Sequence, residues 1–524
     1  MFQQESSAPR ISVSILGSLL VLVIGIGSSR AVLASSEWQF IGARYQGMGG
    51  AGVATVDDSL ALYWNPGALG FTTGRDFQLP FGASLSAEGN VMSEIDELEA
   101  FSRDLLTIRE KIANGELLDE SEKSTVLQLV ARDIPLFRED DEGFLPRAHV
   151  GLTGRSGRFA FGVIGDGDSV VAPFSDDENF GLSGAPTPAL RVASFVGAGA
   201  DRSAELSSAG QSLADLIADD FRAWTNTGLE QDQAEEYVFL AESGGLDTSN
   251  SEVTAGLRQA AQATAESSTS LVSDNLTAAA AITLVTAETT FAYGHSFFDK
   301  VGVGGAVRYI YGNTFVDYTT VYDVDSVREL ITETLEFNNR QDGHEFAVDL
   351  GILFKPTDWL RIGIVGRNLN EPDFKVDLPS ELRQKLFEIG IAIDDYQMER
   401  QVRAGVAIDP FSWWTIAADV DLTENDNKYL PDFDSRLLSV GTEARWAYRK
   451  IAVALRGGAF MNLGSDQNNA PTVTAGLGLR FWNFTLDLSG GVSTERDRFE
   501  SIGADDRIPV RVNFAGQFGY RVEF

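Results

Sequence analysis

The 524-residue chain has no cysteine and only three histidines, and it is short of cations: 41 Lys and Arg face 76 Asp and Glu, a formal net charge of −35. The missing cysteine excludes disulfides, thiolate metal sites and thiol catalysis together. The cation deficit disfavours a nucleic-acid partner, because phosphate has to be met by Lys and Arg. Past the N-terminus no apolar run approaches the ~20 residues of a spanning helix, which excludes a polytopic helical membrane protein. Methionine is scarce at five, whereas 52 glycines and 10% aromatic residues lean toward β-structure. An apolar fraction of 44% is too high for wholesale disorder.

Residues 1–34 read as an export signal. Arg10 precedes an apolar core from Ile11 to Gly27, and Val32 and Ala34 occupy the small-residue positions of a signal-peptidase site, so cleavage is expected after Ala34. Loss of Arg10, Arg30 and Glu5 removes a net +1 and takes the charge from −35 to −36. The other reading of the stretch is an uncleaved membrane anchor.

The rest of the chain alternates with period two. Val512, Phe514, Phe518 and Tyr520 share one strand face, and Arg511, Asn513, Gln517 and Arg521 share the other. The pattern returns at Ile416, Val420 and Leu422 against Asp419 and Asp421, at Val402 and Val406 against Arg403, and at Leu438 and Val440 against Glu443 and Arg445. Alternation alone fits a soluble sandwich as well as a membrane barrel, and connection lengths separate the two. Fourteen strands are expected at about 77–85, 147–154, 158–165, 286–298, 301–312, 345–354, 359–367, 399–409, 414–422, 436–446, 451–460, 472–481, 484–492 and 509–524. Connections after even strands are two to four residues and those after odd strands are long. That asymmetry predicts an all-β transmembrane barrel of about 14 antiparallel strands with short periplasmic turns.

Trp359, Trp413, Trp414, Trp446 and Trp482 fall at the short-turn ends, where an interfacial girdle belongs. Arg403, Asp419, Asp421, Glu443, Arg445, Arg456, Arg480, Asp487, Arg511, Arg521 and Glu523 take the inward phase. Mixed signs at this density predict paired networks that hold a plug rather than an ion-selective ring.

Residues 42–71 carry a second signal: a glycine cluster with Gly47, Gly49, Gly50 and Gly52, the pair Asp57-Asp58, and Asn65-Pro66. This stretch resembles the N-terminal plug of the FadL/TodX superfamily of outer-membrane barrels, and within it the PorV-like and TraF-like (conjugal-transfer) branch. Residues 417–423, 440–443 and 455–458 resemble later strands of that branch. The terminal Phe524 resembles the signature read by barrel-assembly machinery. The resemblance covers residues 40–85 and 286–524 and is weak over the inserts between them.

It implies a plug segment at 35–76 inside a barrel at 77–524, no cofactor, contact with outer-membrane lipid and barrel-assembly machinery, and residence in the outer membrane of a Gram-negative-type bacterium. It also implies passage of hydrophobic, long-chain-fatty-acid-like small molecules or, alternatively, a secretion or conjugal-transfer accessory with a secretion-system partner. Gly67 stands where the family commonly has alanine, which predicts a looser local turn. The same glycines satisfy G-x-G-x-x-G, but a dinucleotide site needs a βαβ unit that is not expected beside the leader.

Two inserts, at 86–146 and 166–285, are expected outside the cell. Apolar residues recur at helical spacing over 94–131 and 204–243, which predicts either an apolar groove for ligand capture or a self-packed cap. Residues 250–285 are expected as a further helix or a loose segment. His149, His295 and His344 lie far apart and suggest no catalytic triad. The acidic runs at 139–142 and 176–178 lack EF-hand spacing; solvated charge is the default reading and cation bridging to lipopolysaccharide the sharper one. No metal site is expected.

Overall fold

Strands that alternate apolar and polar residues can line a bilayer only if every edge is paired. In the computed structural model fourteen antiparallel strands close into a barrel. They are β1 (Arg75–Glu88), β2 (Gly143–Ser156), β3 (Phe159–Phe174), β4 (Ala278–Phe297), β5 (Val301–Thr320), β6 (Gln341–Thr357), β7 (Leu360–Arg367), β8 (Gln401–Phe411), β9 (Trp414–Asp421), β10 (Leu437–Tyr448), β11 (Ile451–Asn462), β12 (Thr472–Phe481), β13 (Phe484–Ser493) and β14 (Arg511–Val522). Each pairs with its sequence neighbours, and β1 closes on β14 from Arg75↔Val522 to Ser86↔Arg511.

The structure describes residues 37–88, 108, 111, 116–133, 143–176, 179–185, 187–225, 229–320, 340–375, 380, 383–384, 396–425, 434–464, 469–498 and 507–522. The signal segment 1–34, the run at 139–142, Glu523 and Phe524 lie outside them.

The two faces of the wall are inverted relative to a soluble protein. Phe77, Val150, Phe161, Phe291, Val307 and Phe346 are exposed, while Arg155, Arg308, Asp349, Arg403 and Asp419 in the opposite phase are buried. Exposed aromatics beside buried guanidiniums make sense only where hydrocarbon bathes the wall, so the barrel is transmembrane. Tight turns join the strands at one end. Gly157, Asp299, Arg449 and Trp482 take positive φ there, as such turns require.

The inward/outward phase is testable at mid-strand. Leu477 on β12 is exposed on the wall between Leu455 and Leu488. Leu477→Arg is expected to cost about 2–4 kcal/mol, read as reduced folding yield into lipid vesicles. Val512 is a poorer probe: as the second residue of β14, near the loop end, its arginine variant should cost less, about 0–1 kcal/mol. Asn513→Arg, in the inward phase, should be better tolerated than Leu477→Arg. Equal damage at Leu477 and Asn513 would reject the phase.

Several boundaries differ from the sequence expectation. β3, β4 and β5 run well past their predicted loop ends, so the second insert is 175–277 rather than 166–285. Ala278-Ala279-Ala280-Ala281 has helix-favouring composition yet sits in β4, held between Val171–Phe174 and Asp317–Thr320. Backbone pairing to two neighbours outweighs a propensity worth tenths of a kcal/mol per residue. Residues 250–285 therefore split into a helix and a strand.

The inserts supply α3 (Glu120–Gln128), α4 (Pro188–Val196), α5 (Ser208–Thr225), α6 (Gln231–Ser243) and α7 (Ser251–Glu266). α3 begins with a capping box, Asp119 with Glu122. Val130, Leu213, Ile217, Phe221, Tyr237 and Leu257 join one buried cluster that reaches Ala279 of β4. Among the described residues the apolar faces cover one another and make a self-packed cap; of the predicted helical stretch 94–131, most of 94–115 lies outside the described residues.

Candidate functional site

Residues 37–74 fill the lumen. Two short helical turns, α1 (Ala43–Gln46) and α2 (Ala61–Trp64), and a 3-10 turn at Pro66–Phe71 fold round an aromatic knot. Trp64 lies within 5.2–6.3 Å of Trp38, Phe40, Tyr45 and Tyr63, ring to ring. Its indole N–H donates to Ile41 O at 2.9 Å, and Tyr63 Oη donates to Gln39 O at 2.8 Å. Trp38 and Trp64 are both almost fully buried, so the lumen's centre is apolar and closed.

The plug meets the wall backbone to backbone, and glycine on the wall permits it. A Cβ on Gly476 would sit 3.2 Å from Gly47 Cα, and one on Gly441 would sit 2.8 Å from Met48 Cα. Gly458 faces Gly49, Gly363 faces Asn65, and Gly302 and Gly304 face Pro66 and Gly67. The looser turn expected at Gly67 is not seen. Gly67 has ordinary φ, and an added Cβ there would meet Gly351 O at 2.7 Å, so glycine is needed for approach and not for bending. Asn65 fixes the turn: its Oδ1 accepts from Gly67 N, and its Nδ2 donates to Val53 O and to Ile352 O of β6. Pro66 starts the 3-10 turn where no N–H is required.

Charge pins the plug to the wall at several places. Asp419 Oδ2 accepts from the successive N–H groups of Gly52 and Val53, each at 2.8 Å, a backbone anion cradle. Gly50 has positive φ and its Cβ position is occupied by the Phe40 ring. Arg403, beside Asp421 at 3.5 Å and Asp419 at 3.9 Å, faces the rings of Trp38 and Phe40.

Arg44 reaches Asp57 at 2.7 Å and Glu443 at 3.1 Å; Glu443 also takes Arg445 and Arg456, and Arg521 pairs with Asp57. Arg511 lies 3.7 Å from Glu37. The inward charges thus form separate clusters and not one belt. Three were not singled out by sequence: Arg308 with Glu288 and Asp349, Arg147 with Asp168 and Glu37, and Arg155 with Asp76. Apart from Glu37 of the plug, all sit in the inward phase of β1–β6, so the same alternation carried the signal.

Trp359, Trp413, Trp446 and Trp482 are exposed at the short-turn end. Phe411, Trp413, Trp414 and Trp446 stack in series there, and Trp414 Nε1 donates to Thr442 Oγ1. The histidines stay apart: His149 is buried in the lumen, His295 contacts Arg158, and His344 accepts or donates at Tyr309 Oη. Among the described residues no group of three His, Asp or Glu could hold a metal ion.

Asp57 and Asp58 are adjacent and titrate apart. Enclosure works against ionisation of Asp57, but the guanidiniums of Arg44 and Arg521 outweigh it and hold that carboxyl well below the usual range. Burial, then the charges of Asp76 and Asp57, push Asp58 up to about 6 against Arg521 and Arg44. Asp58 accepts from Tyr45 Oη and Leu60 N, both on Oδ1.

An unfolded Asp titrates near ~3.9, so seating the plug takes up a proton between that pH and about 6. The contribution is full below the unfolded value and is lost as pH rises through the folded one, a span of about 3 kcal/mol at most. Asp58→Asn is expected to flatten thermal stability between these pH values. Unchanged slopes in the variant would remove Asp58 from the account.

The sequence profile of a family described as "F plasmid transfer operon, TraF, protein" matches residues 207–421. That span takes in α5–α7 and β4–β9, including helices where motif resemblance is weak, and leaves out 42–71, 440–443 and 455–458. Interior positions of a helical bundle carry spaced apolar residues without a short motif, so motif reading passes over them. No curated protein matches the chain.

Solved structures similar to it include the toluene transporter TbuX of Ralstonia pickettii (13% identity, TM-score 0.41, 92% of this chain and 98% of that one). The toluene transporter TodX of P. putida has 11% identity and a TM-score of 0.42, covering 93% and 99%. A FadL homologue of Pseudomonas aeruginosa has 10% identity and a TM-score of 0.38, covering 94% and 99%. The barrel described above rests on its own strand pairing.

Proposed function

We propose that the protein carries hydrophobic small molecules across the outer membrane of a Gram-negative-type bacterium, with the short turns in the periplasm and the helical cap outside. The observation that supports this is the lumen: among the described residues its centre is filled by an apolar aromatic knot tied to a glycine-lined wall. The plug motif at Gly47–Gly52, Asp57-Asp58 and Asn65-Pro66 belongs to the same reading, with barrel-assembly machinery acting on Phe524. An apolar solute needs only a small displacement of the plug or the wall.

The absence of native cysteine offers a clean test. Gln46 Nε2 donates to Asn513 Oδ1 of β14 at 3.0 Å, so a Gln46→Cys/Asn513→Cys pair bridged by a short bis-methanethiosulfonate reagent, which spans the length of the side chains it replaces, tethers the plug. Proteoliposomes should take up a long-chain acid or an aromatic hydrocarbon, less so after cross-linking, with recovery on reduction. No uptake of either class by the untethered protein would reject the reading. The profile match to a plasmid-transfer protein favours the alternative, an assembly or secretion accessory that moves no solute; that reading predicts intact partner capture with no uptake.

A further inference from the structure

We propose that the short-turn mouth of the lumen receives an acidic peptide segment of a soluble partner, with one carboxylate seated on Arg480. A cavity of about 620 Å³, counted with its open mouth, lies between the plug and strands β10–β14 at that end. Arg480 projects into it from β12. Its Nε is buried with no hydrogen-bond partner, and among the described residues no carboxylate pairs with it.

The other guanidiniums lining the cavity are already committed. Arg44 and Arg521 hold Asp57, Arg445 and Arg456 hold Glu443, and Arg456 also reaches Asp487 at 2.6 Å. Arg480 is therefore the surplus charge, with planar donors that match a carboxylate.

The adjoining turn extends the positive strip. Arg480 pairs in register with Ala452, two positions from Lys450. Arg449 and Lys450 are exposed, over the rings of Tyr448 and Trp482 at 5.3 and 5.6 Å. Two cations at the rim and a third inside the cavity suit a ligand with several carboxylates along a chain better than a lone anion. On a protein of net charge −35, a local positive strip also steers an acidic partner to this face and away from the others.

The inference goes beyond the transport reading and does not need it. The full chain in phosphatidylcholine nanodiscs should bind a fluorescent hexaglutamate peptide, more weakly as salt rises. Arg480→Gln should weaken binding about tenfold, and Arg449→Gln/Lys450→Gln at least as much. Thermal unfolding of Arg480→Gln should stay at the wild-type temperature, because that side chain holds nothing in place. No saturable binding by wild type, undiminished binding by Arg480→Gln, or displacement of the peptide by inorganic phosphate at equal concentration would each overturn it. Uptake in proteoliposomes is read separately, so either idea can fail alone.

Discussion

Gly441→Val should unseat the plug while leaving the barrel closed. Gly441 and its cross-strand partner Gly458 both face inward, onto the backbone of Met48 and Gly49. A Cβ at position 441 would stand 2.7 Å from Met48 C and closer still to Met48 O, atoms fixed by the plug's own hydrogen bonds and unable to swing aside as a side-chain tip would. Overpacking against backbone costs on the order of 3 kcal/mol or more, and the weaker partner yields. The barrel has a full ladder on both sides of β10, whereas Met48–Val53 is held by the wall glycines and the Asp419 cradle.

The expected results are rapid tryptic cleavage after Arg44 and a measurable ion conductance in planar bilayers, neither seen for wild type. Gly457→Val is the matched control. It lies one residue from Gly458 on the lipid-facing phase, where an added Cβ has only Thr474 O at 3.9 Å, and should behave as wild type. Equal behaviour of the two variants would mean that the plug does not depend on glycine approach.

The barrel was legible because the signal is written twice, in side-chain phase and in connection length. Ile416 and Val420 against Asp419 and Asp421 give the phase, and the short gaps at 447–450 and 482–483 give the topology. The wall glycines were not legible as a partner surface: Gly441, Gly458 and Gly476 lie in different strands, and nothing local says that they converge on Gly47–Gly49. Nor was the second role of the plug glycines, since Gly52 is shaped by Trp64 twelve residues on and not by a turn. The ends of β3–β5 were misplaced because Ala278–Ala281 has no alternation to read and is assigned by pairing alone. The self-packed cap was left open by sequence, since an amphipathic face looks the same whether it covers a ligand or another helix.

Arg308→Met should be among the most damaging single changes in the barrel wall. Arg308 of β5 donates to Glu288 Oε1 on β4 at 2.6 Å and to both oxygens of Asp349 on β6 at 2.9 and 3.1 Å, and also meets Asn368 Oδ1. All four residues are buried. Removing the guanidinium strands two carboxylates whose nearest remaining cation, Arg367, stands at 3.7 and 3.9 Å, and breaking a buried pair in this way costs about 3–5 kcal/mol. Heat-induced unfolding in detergent should move to clearly lower temperature. The double variant Arg308→Met/Asp349→Asn should regain much of the stability, because Glu288 then keeps Arg367 at 3.7 Å and no charge is left unmatched. If Arg308→Met unfolds at the wild-type temperature, or if the double variant regains nothing over it, water in the lumen is screening these charges and the cluster is not what joins β4, β5 and β6 from within.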